Sequence, residues 1–205
     1  MIAPPTPPFT ILRPSGTPTL VFDSPHSGRL YPADFAVKCG RTELRRGEDA
    51  YVDELIAGAV RHGAGVLAAV YPRTYIDVNR AETDIDADLL SAPWPGPLAP
   101  TEKTERGLGL IRRYVEPGVE VNARLLAPAE VQDRIDRVYR PYHAALAALL
   151  EEAGRVRRPV WHLNWHSMKS AGIAMTPDGP GRRRAEFIVS DRDGTTADPA
   201  VTGLV

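Results

Sequence analysis

The chain has 205 residues, with 25 lysines and arginines against 26 aspartates and glutamates, a formal net charge of -1. That balance argues against a basic nucleic-acid binder and against an acidic disordered tail as the main identity, and the length points to one domain over 1–205 with a real core. The single cysteine, Cys39, excludes an internal disulfide framework and a CxxC zinc site. No run approaches the ~18 apolar residues of a membrane helix, and Met1–Thr10 has neither the basic nor the apolar region of a signal peptide. A cytoplasmic protein with no membrane or nucleic-acid partner is expected; no oligomeric state is read from the sequence.

The first 16 residues are proline-rich and expected to be extended. Thr19–Phe22 reads as a short buried strand running into the polar turn Asp23-Ser24-Pro25-His26-Ser27-Gly28. A turn or two of helix is expected over Pro32–Val37. A helix is predicted over Asp49–His62, where Val52, Leu55, Ile56, Ala59 and Val60 fall at helical spacing and Gly63 suits the residue after its end. Val66–Tyr71 is an apolar run of strand length, and Tyr75–Arg80 alternates as a strand would. Residues 81–105 form a long acidic, then Pro- and Trp-rich loop, and Leu108–Ile111 is a strand candidate. The longest helix is predicted over Ala129–Ala153, with Pro128 at its first position, Gly154 at its exit and a kink at Pro141. Pro159–Trp165 reads as a strand ending at His166-Ser167, residues 176–184 as a loop and Glu186–Val189 as a last strand. Strands alternating with amphipathic helices argue for an α/β layered fold with a largely parallel sheet, and in such sheets ligands gather beyond the carboxyl ends of the strands.

Two of those strand exits carry His-Ser: His26-Ser27 and His166-Ser167. Near the first in sequence lies Glu48-Asp49. Two imidazoles and one carboxylate are the ligand set of an open catalytic zinc site; the alternative is a turn histidine and an N-cap pair. His162 and His166 are four apart, but the segment is β-branched and aromatic, so it reads as a strand with His162, Asn164 and His166 on one face. His166 is then the better ligand, and His162 a core or supporting residue. Arg73, Asn79 and Arg80, near strand ends, suit capture of a substrate carboxylate; the alternative is arginines bridging the acidic run Glu82, Asp84, Asp86 and Asp88. His143, beside Tyr139 and Tyr142 on the long helix, reads as a packed histidine. No GxSxG, GxGxxG or P-loop is present.

Six segments in order, 24–28 (SPHSG), 47–55 (GEDAYVDEL), 73–80 (RTYIDVNR), 138–143 (VYRPYH), 166–168 (HSM) and 189–194 (VSDRDG), resemble the N-formylglutamate amidohydrolase (N-formylglutamate deformylase) family. The resemblance implies a three-layer α/β/α fold with a mostly parallel or mixed sheet, phosphorylase/hydrolase-like, with a site like that of zinc carboxypeptidases. It implies one Zn2+ held by His26, His166 and a carboxylate, Asp49 or its neighbour Glu48, with Asp49 favoured. Arg73, Asn79 and Arg80 would hold the carboxylate of a small N-acyl amino acid, N-formyl-L-glutamate, whose formyl group is released as formate. Two departures stand out. Asn164 replaces an aspartate often found two residues before the second histidine, weakening an expected orienter of His166. The family's C-terminal segment, with a glutamate suited to proton transfer, has no counterpart here, which leaves Glu48 as the nearby catalytic acid/base candidate. Two other readings remain: a related zinc hydrolase for another N-acyl amino acid, and a non-catalytic carboxylate-binding relative.

Overall fold

The structure, a computed structural model, describes residues 7–156, 158–172 and 179–203. The chain, expected from its length to make one domain, divides into two compact units, Met1–Ser167 and Met168–Val205. Among the described residues, no helix is long and apolar enough to cross a membrane.

The first unit holds a four-stranded mixed sheet in the order β1-β3-β2-β4: β1 (Phe9–Leu12), β2 (Leu20–Ser24), β3 (Ala64–Ala69) and β4 (Trp161–Asn164). β3 and β4 run parallel to β2, and β1 runs antiparallel to β3. Three carboxyl ends therefore open at one edge of the sheet, the crevice where α/β folds place ligands. β1 lies within the segment expected only to be extended; its backbone completes the ladder along β3.

Period-two alternation gives the sheet two apolar faces. Ala64 and Val66 pack with Val52 and Ile56 of α2 (Val52–Ile56, following α1 at Arg41–Arg45). Val21, Leu67 and Ala69 belong to the larger core with Tyr142, Leu149 and Ala153. Each large apolar side chain fully buried this way contributes roughly 1.5–3 kcal/mol. The helix predicted over 49–62 begins at α2 and continues as 3-10 turns over Ala57–His62, closed by Gly63 at φ 86°. Of the expected apolar face, Val52 and Ile56 are buried, whereas Leu55, in the α-helical part, is 80% exposed.

A short helix, α3 (Glu102–Glu105), follows the long loop. The predicted long helix is α4 (Pro128–Arg134), a π-helical stretch Ile135–Tyr139 and α5 (Arg140–Val156), with Pro128 in the first turn. Pro141 lacks the N–H an α-helix needs, and wider π turns immediately precede it. Gly154 lies inside α5 rather than at its exit.

The strands expected over 75–80 and 108–111 do not form. Residues 75–80 are successive turns, in which Tyr75 N–H donates to Pro72 O and Arg80 N–H to Asp77 O. Leu108 makes only an isolated bridge to Arg112. In the second unit a helix, α6, spans Pro199–Thr202. Glu186–Val189 has no strand partner among the described residues, and Phe187, Ile188 and Val189 are exposed. Of the loop expected over 176–184, residues 176–178 lie outside the described residues.

Candidate metal centre

The turn after β2 places His26. Ser24 Oγ donates to Ser27 Oγ at 2.8 Å, and Gly28 passes so close to the end of β3 that a Cβ there would meet Tyr71 O at 2.2 Å. Only glycine permits that approach. The Asp49 N–H donates to His26 O at 3.0 Å, tying the entry to α2 to the β2 turn. Tyr51, two residues on, holds φ 66°, a conformation that non-glycine residues adopt only when their surroundings impose it.

His26, Asp49 and His166 converge. Asp49 Oδ2 lies 2.8 Å from His166 Nδ1 and 3.3 Å from His26 Nδ1, and the two Nδ1 atoms are 3.1 Å apart. Bonds of ~2.0–2.1 Å at tetrahedral angles would separate zinc ligand atoms by roughly 3.3–3.4 Å. The observed spacing is close to this and slightly inside it. Three nitrogen and oxygen donors, with no sulfur, also suit a catalytic zinc site. Burial opposes the charge on Asp49, but its contacts with the His166 and His26 rings and the charge of Arg73 outweigh it, holding the carboxyl well below the usual range.

Behind His26 stands Asp77, which the sequence pattern places only within a strand. Its fully buried carboxylate accepts from His26 Nε2 at 2.7 Å, which assigns the neutral ring's proton to Nε2 and leaves the Nδ1 lone pair facing Asp49 and His166. Asp77 also accepts from the Asn79 N–H at 3.0 Å and pairs with Arg73 and Arg112. Burial, reinforced by the nearby charge of Arg73, pushes the Arg112 guanidinium down to about 10. A second missed acid, Asp23, is buried in β2 and accepts from Tyr142 OH at 2.8 Å, His162 Nε2 at 2.8 Å and Asn164 Nδ2 at 3.3 Å. Both acids sit among apolar neighbours in the sequence, where a carboxylate needs partners to be buried; that was the available signal. Tyr142→Phe removes one of Asp23's donors and is expected to lower stability by about 1–3 kcal/mol, read from the urea midpoint.

The other expected residues separate. Arg73 donates to Asp77 Oδ2 at 3.3 Å and Asp49 Oδ1 at 3.4 Å, so part of its fork is committed within the protein. Asn79 Nδ2 faces His166 Nε2 at 3.1 Å. Arg80 has a buried Nε with no hydrogen-bond partner. The acidic run is matched by other arginines, Glu82 by Arg140 and Asp86 and Asp88 by Arg113. Glu48 does not join the cluster. Its carboxylate accepts from Tyr31 OH and from Arg45 Nε, so Asp49 is the acid that meets the imidazoles and Glu48 has no geometric support as the catalytic acid/base. Asn164 points to Asp23 and Asn79 rather than to His166, because it is the register partner of Asp23 in the β2/β4 ladder and shares its face of the sheet. His162, expected as a core or supporting residue, bonds the buried Asp23 from an exposed position on β4.

A family model for N-formylglutamate amidohydrolase matches residues 18–205. The chain is 32% identical over 193 residues to an N-formylglutamate deformylase of Pseudomonas aeruginosa, an alignment covering 91% of this chain and 64% of the relative. It therefore spans just under two thirds of that relative's length. A crystal structure of N-formylglutamate amidohydrolase from Ralstonia eutropha JMP134 superposes with a TM-score of 0.88 at 46% identity, covering 97% of this chain and 71% of that one.

Proposed function

Because the chain belongs to the N-formylglutamate amidohydrolase family, we propose that it is a metal-dependent amidohydrolase that takes N-formyl-L-glutamate and water to formate and L-glutamate, with His26, Asp49 and His166 as the ligands of one zinc ion. The observation that carries this reading is the meeting of three donor atoms, 2.8–3.3 Å apart, from residues distant in sequence. A donor set of two imidazoles and a carboxylate, with the Asn79-Arg80 pair beside His166, supports likening the site to that of zinc carboxypeptidases. Zinc bound there would polarise the formyl carbonyl and lower the pKa of its water to ~7.

The chain's own residues do the rest. Asp77 holds the His26 proton on Nε2 and keeps Nδ1 available. For His166 to offer Nδ1 as well, its proton sits on Nε2, which Asn79 accepts only with its amide turned over, giving up the 3.5 Å contact of its oxygen with Asn164 Nδ2. Arg80, with its unpartnered Nε, takes the substrate carboxylate. Arg73, Arg80 and Arg112 around Asp49 and Asp77 leave an excess of positive charge that suits an anionic substrate.

Protein stripped with a chelator is expected to release formate from N-formyl-L-glutamate only after zinc is restored. Formate from other N-formyl amino acids alone would favour a related hydrolase, and thermal stabilisation by the ligand without formate would favour a binding protein. Arg80→Ala is expected to raise KM roughly 10–100-fold, the scale of a charged hydrogen bond, with a smaller change in kcat. Arg80→Lys should restore only part of this, because an ammonium cannot bind a carboxylate through a planar fork. An unchanged KM in Arg80→Ala would remove the anchor role.

A further inference from the structure

The 138–143 segment, VYRPYH, supplies no donor to the metal cluster, yet it touches the loop that carries Asn79 and Arg80. That loop is irregular, so its carbonyls have no sheet partner and must find donors elsewhere. The rod formed by α4, the π turns and α5 provides them. Arg134 Nη1 donates to Tyr75 O at 2.9 Å, His143 Nε2 to Val78 O at 2.9 Å and Tyr139 OH to Arg80 O at 2.8 Å. Tyr139 and His143, four apart, share a helix face with ring centroids 4.3 Å apart. They bracket Asn79 by bonding the carbonyls on either side of it. Arg140 adds an exposed pair to Glu82 at 2.6 Å, which carries little by comparison. Tyr142, between them, bonds Asp23 on β2, so one short segment ties the loop to the strand that leads into His26. π-helical turns of this kind occur often at functional sites.

We propose that Tyr139 and His143 are positioning residues: their side-chain donors clamp the Val78–Arg80 backbone and so set where Asn79 and Arg80 present themselves to the substrate. This rests on the reading of Arg80 as the carboxylate anchor. Neither side chain needs to touch substrate. Both are half-buried, so conservative replacements leave the apolar core of α5 in place.

The test uses the full chain with Tyr139→Phe, His143→Leu and His143→Gln, the last keeping an N–H donor within reach of Val78 O. Hydrogen–deuterium exchange reads the amides of Asp77, Asn79 and Arg80, all bonded in the folded loop. Faster exchange there is expected in Tyr139→Phe and His143→Leu, with His143→Gln restoring protection. In the same variants KM for N-formyl-L-glutamate should rise about tenfold, the loss of one ordinary hydrogen bond, while kcat stays within about twofold. Unchanged exchange over 77–80 in folded variants, or a fall in kcat at constant KM, would overturn the clamp. Should the wild-type chain release no formate at all, the exchange measurement still decides the clamp, and the proposed hydrolysis fails separately.

Discussion

Asp49→Asn is expected to lose bound zinc and, with it, formate release. The change keeps the side chain's size but replaces the carboxylate oxygen that lies 2.8 Å from His166 Nδ1 and 3.3 Å from His26 Nδ1 by a neutral amide, a poor zinc ligand. Removal of a residue that only orients a metal ligand typically lowers affinity or activity by roughly 10–100-fold; loss of a ligand's charge should exceed that and leave hydrolysis at background. His166→Ala should behave alike, because the other two donors alone do not make the three-ligand site of a catalytic zinc. Metal analysis after dialysis, together with formate assays, measures both. Full zinc occupancy in Asp49→Asn and in His166→Ala, with wild-type turnover, would remove the metal reading altogether.

Asp77→Ala is expected to be the most destabilising single substitution near the site, by about 3–5 kcal/mol, the usual consequence of leaving buried charges without their partner. Asp77 is wholly buried and faces Arg73, Arg112 and the His26 ring. Without it, Arg112, itself buried, has lost the carboxylate that offsets its desolvation. Asp77→Asn separates the two roles of this residue. It retains a hydrogen-bonding group of the same shape and should fold with a smaller loss, yet it no longer fixes the His26 proton on Nε2 by charge. Its zinc affinity should therefore fall roughly 10–100-fold while most of its stability remains. Urea denaturation and zinc competition on the two variants test this. Wild-type stability in Asp77→Ala would contradict the ion-pair account.

The elements legible in the sequence were those whose signal is local. The apolar spacing from Val131 to Leu149 marks one continuous helical rod because each turn repeats the same exposure to the core, and the apolar run of β3, buried along its whole length, marks a strand inside the sheet. The π turns ahead of Pro141 were not legible: a missing N–H can be accommodated by a kink or by a wider turn, and packing chooses between them. The 75–80 segment misled for a related reason. It has strand periodicity, but its carbonyls are satisfied by Arg134, His143 and Tyr139, donors 59 to 65 positions away in a part of the chain that no local pattern connects to it.

Residue type and order by themselves determined which chemistry this protein has available: two histidines at strand exits, an acid beside a helix start, and an Asn-Arg pair. Tertiary structure alone decided which acid joins the imidazoles. Asp49 turns inward because its backbone is bonded to His26 O, whereas Glu48, its immediate neighbour, is drawn away by Tyr31 and Arg45. It also revealed Asp77 as the partner that orients His26. Ligand geometry is a matter of a few ångströms between atoms from separate elements, and only the packing of those elements sets it.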